Sequence, residues 1–266
     1  MADNEQKQQL LQISNPPHIR SGESVPKVMW AVVIALAPAS VFSVYLFGLN
    51  AFILLSVGVV AAVIGEAGMQ LFLKRPVTVT DGSAVVTGLL LAMNVPPLAP
   101  WWVVAIGSLF AIIVVKQFFG GLGFNIFNPA LAGRAFLMAS WPIYMTTAWH
   151  RFGGVNVLSP AVTNTAGLPE SFFDTLTMAT PLGLLKEGPK IAADSGIDVS
   201  AFYDILLSPK LLKSLFIGNI GGCIGETSAL LLLAGGLFLL FRRIITWHIP
   251  VSYVGTVAIL AAIYYS

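Results

Sequence analysis

Thirty-eight consecutive residues between Lys27 and Glu66 carry no charge, and thirty-four more follow between Asp81 and Lys116. A helix crosses the hydrocarbon core of a bilayer with about 20 apolar residues. Each tract therefore holds more than one helix, or one helix and a re-entrant piece. Asp, Glu, Lys and Arg make up only 10% of the chain, against roughly 25% in soluble domains, too few to clothe a water-facing surface. Backbone exposed to lipid must satisfy its own hydrogen bonds, which leaves helices or a closed barrel. The apolar runs are continuous rather than alternating, so a barrel is excluded. The sequence predicts an all-α, polytopic integral membrane bundle and rules out a disordered chain, a disulfide scaffold and a soluble enzyme.

The predicted spans are 28–47, 52–73, a short one at 82–97, 101–119, 129–148, 214–241 and 247–266. Val28–Phe47 is too long for a signal-peptide core and is read as a retained span. The organisation expected is a polar N-terminal segment (1–27), a first transmembrane block (28–148), a polar stretch (149–213) and the start of a second block (214–266). Residue 266 falls at or near the end of the last span, so the chain is expected either to be incomplete or to stop at the membrane edge. Lys and Arg gather in cytoplasmic connections. With the N-terminus inside, Lys7, Arg20, Lys27, Lys74, Arg75, Arg242 and Arg243 all fall on that side, and the outer turns at 48–51 and 96–100 carry none. This places 149–213 outside. Its Phe172, Phe173, Phe202 and Tyr203 indicate a folded segment rather than a linker.

The net charge of +2 gives no reason to expect a nucleic-acid partner. Cys223 is the sole cysteine, which excludes an internal disulfide and a Cys₄ cluster within this chain. His18, His150 and His248 are too scattered for a shared metal site.

Three stretches depart from plain transmembrane hydrophobicity. From Thr80 to Pro97, Asp81 and Ser83 suit a helix start and Pro96-Pro97 ends the helix after about 14 residues, too short for the bilayer. Such a segment marks either a discontinuous helix near a binding site or a helix packed closely through small residues. From Gly120 to Arg134, Asn128 before Pro129 forms an N-cap with proline at the first helical position. Arg134 then requires a carboxylate, carbonyl or phosphate partner, or snorkels to the inner surface, as Lys116 is expected to do. From Gly218 to Ser228, glycines and Glu226 lie in mid-span, and Ile224-Gly225-Glu226 matches Ile64-Gly65-Glu66 as a hint of internal repetition. The carboxylates of Glu66, Asp81 and Glu226 are candidates for a cation path, for protonation, or for pairing with Arg134 or Lys116.

Together, the Thr80–Pro97 run with Leu98-Ala99-Pro100-Trp101-Trp102 after it, the Gly120–Phe136 run and Gly218–Ser228 resemble one family of membrane subunits. It is the family of the Rnf complexes' D subunit and of the B subunit of the sodium-translocating NADH:quinone oxidoreductases. The resemblance implies ten helices in two inverted repeats, similar to urea and ammonium transporters, with the second repeat incomplete here. It also implies FMN joined through its phosphate to a threonine, in a motif Asp-x-x-Ser/Thr-Gly-Ala-Thr. Here Asp174, Thr177 and Thr180 match, Thr180 is the implied acceptor, and Met178 replaces the usual glycine. A flavin transferase is the implied modifying partner. Some relatives also hold a noncovalent riboflavin, which the resemblance assigns to no particular residue.

The function so implied is an electron-carrying subunit in a prokaryotic cell membrane. It works with other subunits that handle ferredoxin and NAD⁺ while Na⁺ or H⁺ is translocated. A solute channel or carrier would use the same broken helices and mid-span glycines, and a flavin-free structural scaffold is a third alternative.

Overall fold

The computed structural model describes residues 24–146 and, in the C-terminal part, 209, 213, 216–218, 222–226 and 228–265. Among them there is no strand. Two helices are long and apolar enough to cross a membrane, α1 (Val25–Phe47) and α2 (Leu49–Phe72). At 1.5 Å per residue each reaches about 35 Å, more than a roughly 30 Å hydrocarbon core. They fulfil the first two expected spans and meet at Gly48, whose φ of +73° permits the tight reversal.

A 3₁₀ turn (Val79–Asp81) leads into α3 (Ser83–Met93), which is 11 residues long, shorter than the 14 expected. It stops before Pro96-Pro97, at Asn94, whose side chain donates to the Leu90 carbonyl at 2.8 Å. α4 (Trp101–Phe110) runs without a break into a π-helical stretch, Ala111–Gln117. α5 (Pro129–Ser140) begins as expected, with Asn128 Oδ1 accepting from the N–H groups of Ala130 (3.0 Å) and Leu131 (3.3 Å). Asn128→Ala is predicted to lower stability by about 1 kcal/mol, read as a lower thermal midpoint of the detergent-solubilised protein.

Two expected spans are corrected. Span 129–148 is broken at Trp141, because Pro142 disfavours helical backbone in the residue before it; α6 (Pro142–Thr146) is a separate short helix. Span 214–241 is not one helix either. Gly218 has φ +106°, residues 222–226 are irregular, and a regular helix, α7 (Ala229–Phe241), follows, with Ser228 Oγ accepting from the Leu231 N–H. α8 (His248–Tyr265) closes the described chain.

Small residues let these helices approach. α2 crosses α3 at Gly58 and Gly88: a Cβ on Gly58 would lie 2.9 Å from both the Ala92 Cβ and the Gly88 carbonyl oxygen. Gly133 of α5 admits Leu91, and Gly235 of α7 rests on the Ala35 carbonyl of α1. α1 buries Ala31, Ala35, Ala39 and Ser43 at four-residue spacing, the close-packing stripe of membrane helices. Leu54, Val103, Val104, Leu137 and Ile224 fill the interior, while Ile34, Val41, Phe52, Val60 and Leu71 face outward. Helices apolar on every side suit lipid surroundings.

The irregular 222–226 segment has a definite task. The Ile224 N–H donates to the Val95 carbonyl (3.1 Å) and the Gly225 N–H to the Met93 carbonyl (2.7 Å). The open C-terminal end of α3 is thus satisfied by protein backbone, which is what allows a helix to end inside a bilayer.

Candidate functional site

At the end of α2 that carries Lys74 and Arg75, three elements converge on a buried polar cluster. α2 supplies Glu66 and, one turn later, Gln70. The start of α3 supplies Ser83, and the π-helical stretch supplies Lys116 and Gln117. Lys116 Nζ donates to Glu66 Oε1 at 2.7 Å, with both side chains 2% exposed. The same ammonium donates to Ser83 Oγ at 2.6 Å, and Ser83 Oγ donates to Asp81 Oδ1 at 2.6 Å. Asp81 Oδ1 also accepts from the Ser83 N–H at 2.7 Å, securing the entry to α3. Glu66, Lys116, Ser83 and Asp81 therefore form one continuous chain, grading from fully buried Glu66 to half-buried Asp81.

Amide groups complete one side of Glu66. Gln117 Nε2 donates to Oε1 at 2.9 Å and Gln70 Nε2 at 3.3 Å. Gln70 is itself fixed by Thr78, whose hydroxyl accepts at 2.9 Å and whose N–H donates to Gln70 Oε1 at 2.9 Å. Glu66 Oε1 thus takes three donors, whereas Oε2 is buried with no partner among the described residues. An ion pair without water is expensive to assemble and breaks even only when its hydrogen bonds are complete. Here they are complete on one carboxylate oxygen alone.

Of the two expectations for Lys116, snorkelling to the surface is corrected and pairing with an intramembrane carboxylate is met: it is buried as the partner of Glu66. The reason is the π-helical stretch, which points Lys116 and Gln117 together at α2; its wider turn is marked by the Phe118 N–H donating to the Ile113 carbonyl at 3.1 Å. Such stretches cluster at functional sites. Gln70, Ser83 as a bridge, and Gln117 were not anticipated as site residues. The available signal was Gln70 four residues after Glu66, one turn along the same face.

A second polar contact lies at the far end of α3. Arg134 Nη1 donates to Asn94 Oδ1 at 3.0 Å, an amide carbonyl rather than a carboxylate. Glu226 does not take that place; its Oε2 accepts from the Cys223 N–H at 3.2 Å and the residue is exposed. Glu66 in a helix and Glu226 in an irregular turn occupy unlike environments, so the matching Ile-Gly-Glu triplets are not structurally equivalent. Thr180, Asp174 and Thr177 lie outside the described residues.

Discontinuous apolar helices around a buried carboxylate–ammonium pair define the class: a helical membrane protein with an ionisable site within its span. Residues 12–266 match the family described as NQR2, RnfD, RnfE, and the chain belongs to that family. It is 44% identical over 98% of its length, and 71% of the relative's, to the D subunit of the proton-translocating ferredoxin:NAD⁺ oxidoreductase complex of Clostridium ljungdahlii. It is 47% identical to the D subunit of the Na⁺-translocating ferredoxin:NAD⁺ oxidoreductase complex of Acetobacterium woodii, covering 94% of this chain and 69% of that one. The D subunit of the ion-translocating oxidoreductase complex of Rhodobacter capsulatus is 39% identical over 93% and 68% of the two chains.

Proposed function

We propose that this chain is the D-type membrane subunit of a prokaryotic ion-translocating ferredoxin:NAD⁺ oxidoreductase complex, and that it carries FMN as a phosphodiester on Thr180. The observation that supports this most is similarity to the D subunits of two such complexes along nearly the whole chain. In attachment, catalysed by a separate flavin transferase, the bond from Thr180 Oγ1 to the flavin phosphorus forms as the phosphoanhydride of a flavin dinucleotide breaks, and the hydroxyl proton leaves as the nucleoside monophosphate departs. Asp174 and Thr177 belong to the motif that transferase would recognise. The bound flavin supplies reversible electron transfer; the protein holds and tunes it. Other subunits bind ferredoxin and NAD⁺, and a noncovalent riboflavin, as in some family members, is assigned to no residue.

In the same reading the N-terminus is cytoplasmic, 149–213 faces outward, and 28–148 forms one half of an inverted-repeat fold like that of urea and ammonium transporters, whose second half begins at 214. Glu66 and Asp81 lie in the path of the translocated Na⁺ or H⁺. Support comes from the buried, bare Oε2 of Glu66, since intramembrane carboxylates mark ion paths. Arg134 and Glu226 have local hydrogen-bonding roles instead.

The test is covalent flavin. Wild-type protein made with its transferase is expected to give a fluorescent band after denaturing electrophoresis. Thr180→Val is expected to lose the fluorescence while still inserting in the membrane. A dark wild-type band would favour a solute channel or a flavin-free scaffold.

A further inference from the structure

Among the described residues, the cluster around Glu66 holds fewer positive than negative charges. It holds two carboxylates, Glu66 and Asp81, and one ammonium, Lys116. Of the two cations in the connecting loop, Lys74 is exposed and Arg75 donates instead to the Gly120 carbonyl at 3.3 Å. Among the described residues Glu66 is contacted only at Oε1, and Oε2 is a buried acceptor with room in its hydrogen-bonding capacity for a further donor or cation. Lys116 Nζ meanwhile sits between two oxygens at nearly equal distance, Glu66 Oε1 at 2.7 Å and Ser83 Oγ at 2.6 Å, and the second leads directly to Asp81. A lysine is a compact charge on a flexible stem with three rotatable donors. It can move from one carboxylate towards the other without ever losing an oxygen partner.

We infer that Lys116 is a tethered counter-cation that exchanges with the translocated cation at Glu66, moving over Ser83 to Asp81 when Glu66 is taken. This rests on the proposal that Glu66 lies in the ion path, and it assigns the regulation of that site. With Lys116 on Glu66, the buried carboxylate is compensated and the cation is released. With the cation on Glu66, Lys116 compensates Asp81 at the half-buried entrance. Neither state leaves a deeply buried charge without a partner, the situation that is most unfavourable. With Na⁺ no covalent bond is made or broken, and one cation enters as another side-chain contact is given up; with H⁺ the O–H bond that forms on Glu66 replaces one broken in hydronium on the side of entry, and it is broken again on release to water.

The experiment uses the intact complex in proteoliposomes and measures the cation dependence of turnover. The probe is Na⁺ at fixed pH, or pH in Na⁺-free buffer where the wild type does not respond to Na⁺. Lys116→Met removes the competitor, so the half-saturating Na⁺ concentration is expected to fall at least about tenfold (1.4 kcal/mol), or the apparent pKa to rise. Ser83→Ala removes the bridge and keeps Lys116 on Glu66, so the same quantity is expected to shift several-fold in the opposite direction. A purely structural ion pair would move neither in an assembled complex. Unmoved values, or shifts of the same sign, overturn the exchange; where Lys116→Met fails to assemble, Ser83→Ala decides alone. Glu66→Gln separates the two levels. If it retains wild-type cation dependence, the ion-path reading itself fails. If it abolishes that dependence while Ser83→Ala changes nothing, only the exchange fails.

Discussion

Glu66→Ala is expected to destabilise the folded subunit by roughly 3 kcal/mol, because it leaves the Lys116 ammonium in the protein interior without its carboxylate. Breaking a buried pair from one side typically costs about 3–5 kcal/mol. The lower end applies because Ser83 and, behind it, Asp81 still accept from Lys116. For a subunit of this size the thermal midpoint should fall by roughly 6–12 °C. The double variant Glu66→Met/Lys116→Met replaces both charges with side chains of similar volume. It should regain most of that loss, since apolar replacement of a whole buried pair is often neutral or stabilising. Cation coupling should be lost in both variants. A double variant that regains stability and also keeps coupling would reduce the pair to a structural device. This comparison divides the ion-path role from the pairing role, two of the three that the sequence leaves open for Glu66.

The second large effect concerns the crossing of α2 and α3. In Gly88→Leu the new Cβ would overlap the Gly58 carbonyl and the Val59 Cα. Backbone atoms of a packed helix pair do not yield as a flexible side chain does, so the helices must separate. Overpacking usually costs about 1–3 kcal/mol. Here the loss should be at least about 3 kcal/mol, because the crossing also holds Ser83 in place against Lys116. The matched control is Gly68→Leu on the same α2 helix, where a Cβ meets nothing within 4 Å. It should be neutral or slightly stabilising, as leucine is the better helix former by up to about 1 kcal/mol. Subunit abundance in the membrane and the thermal midpoint read both variants. Equal behaviour of the pair would contradict the packing described for α2 and α3.

What could be read from the sequence divides along physical lines. Charge-free tracts report solvent preference, and they located α1 and α2 closely. Asn128-Pro129 is a local capping signal, and α5 starts there. Asp81 and Ser83 marked the entry to α3 for the same reason. Hydrophobicity cannot see a backbone break, so the interruptions at Trp141, at Gly218 and at 222–226 are absorbed into continuous spans. The choice of ion partner is a tertiary matter. Lys116 lies 50 residues from Glu66, near a predicted span end where snorkelling is the cheap solution, and nothing local announces the π-helical stretch that turns it inward. Arg134 was expected to find a carboxylate, carbonyl or phosphate; the amide oxygen of Asn94 is the carbonyl case, supplied by the residue at which α3 ends. Thr180 is the opposite kind of inference, carried by a motif and lying outside the described residues.

The most direct test of the redox assignment is the mass of the peptide containing Thr180, cut from the complex purified from its native host. This peptide is predicted to carry one FMN less one water, localised to Thr180 by fragmentation. A peptide of unmodified mass at that position would contradict the assignment.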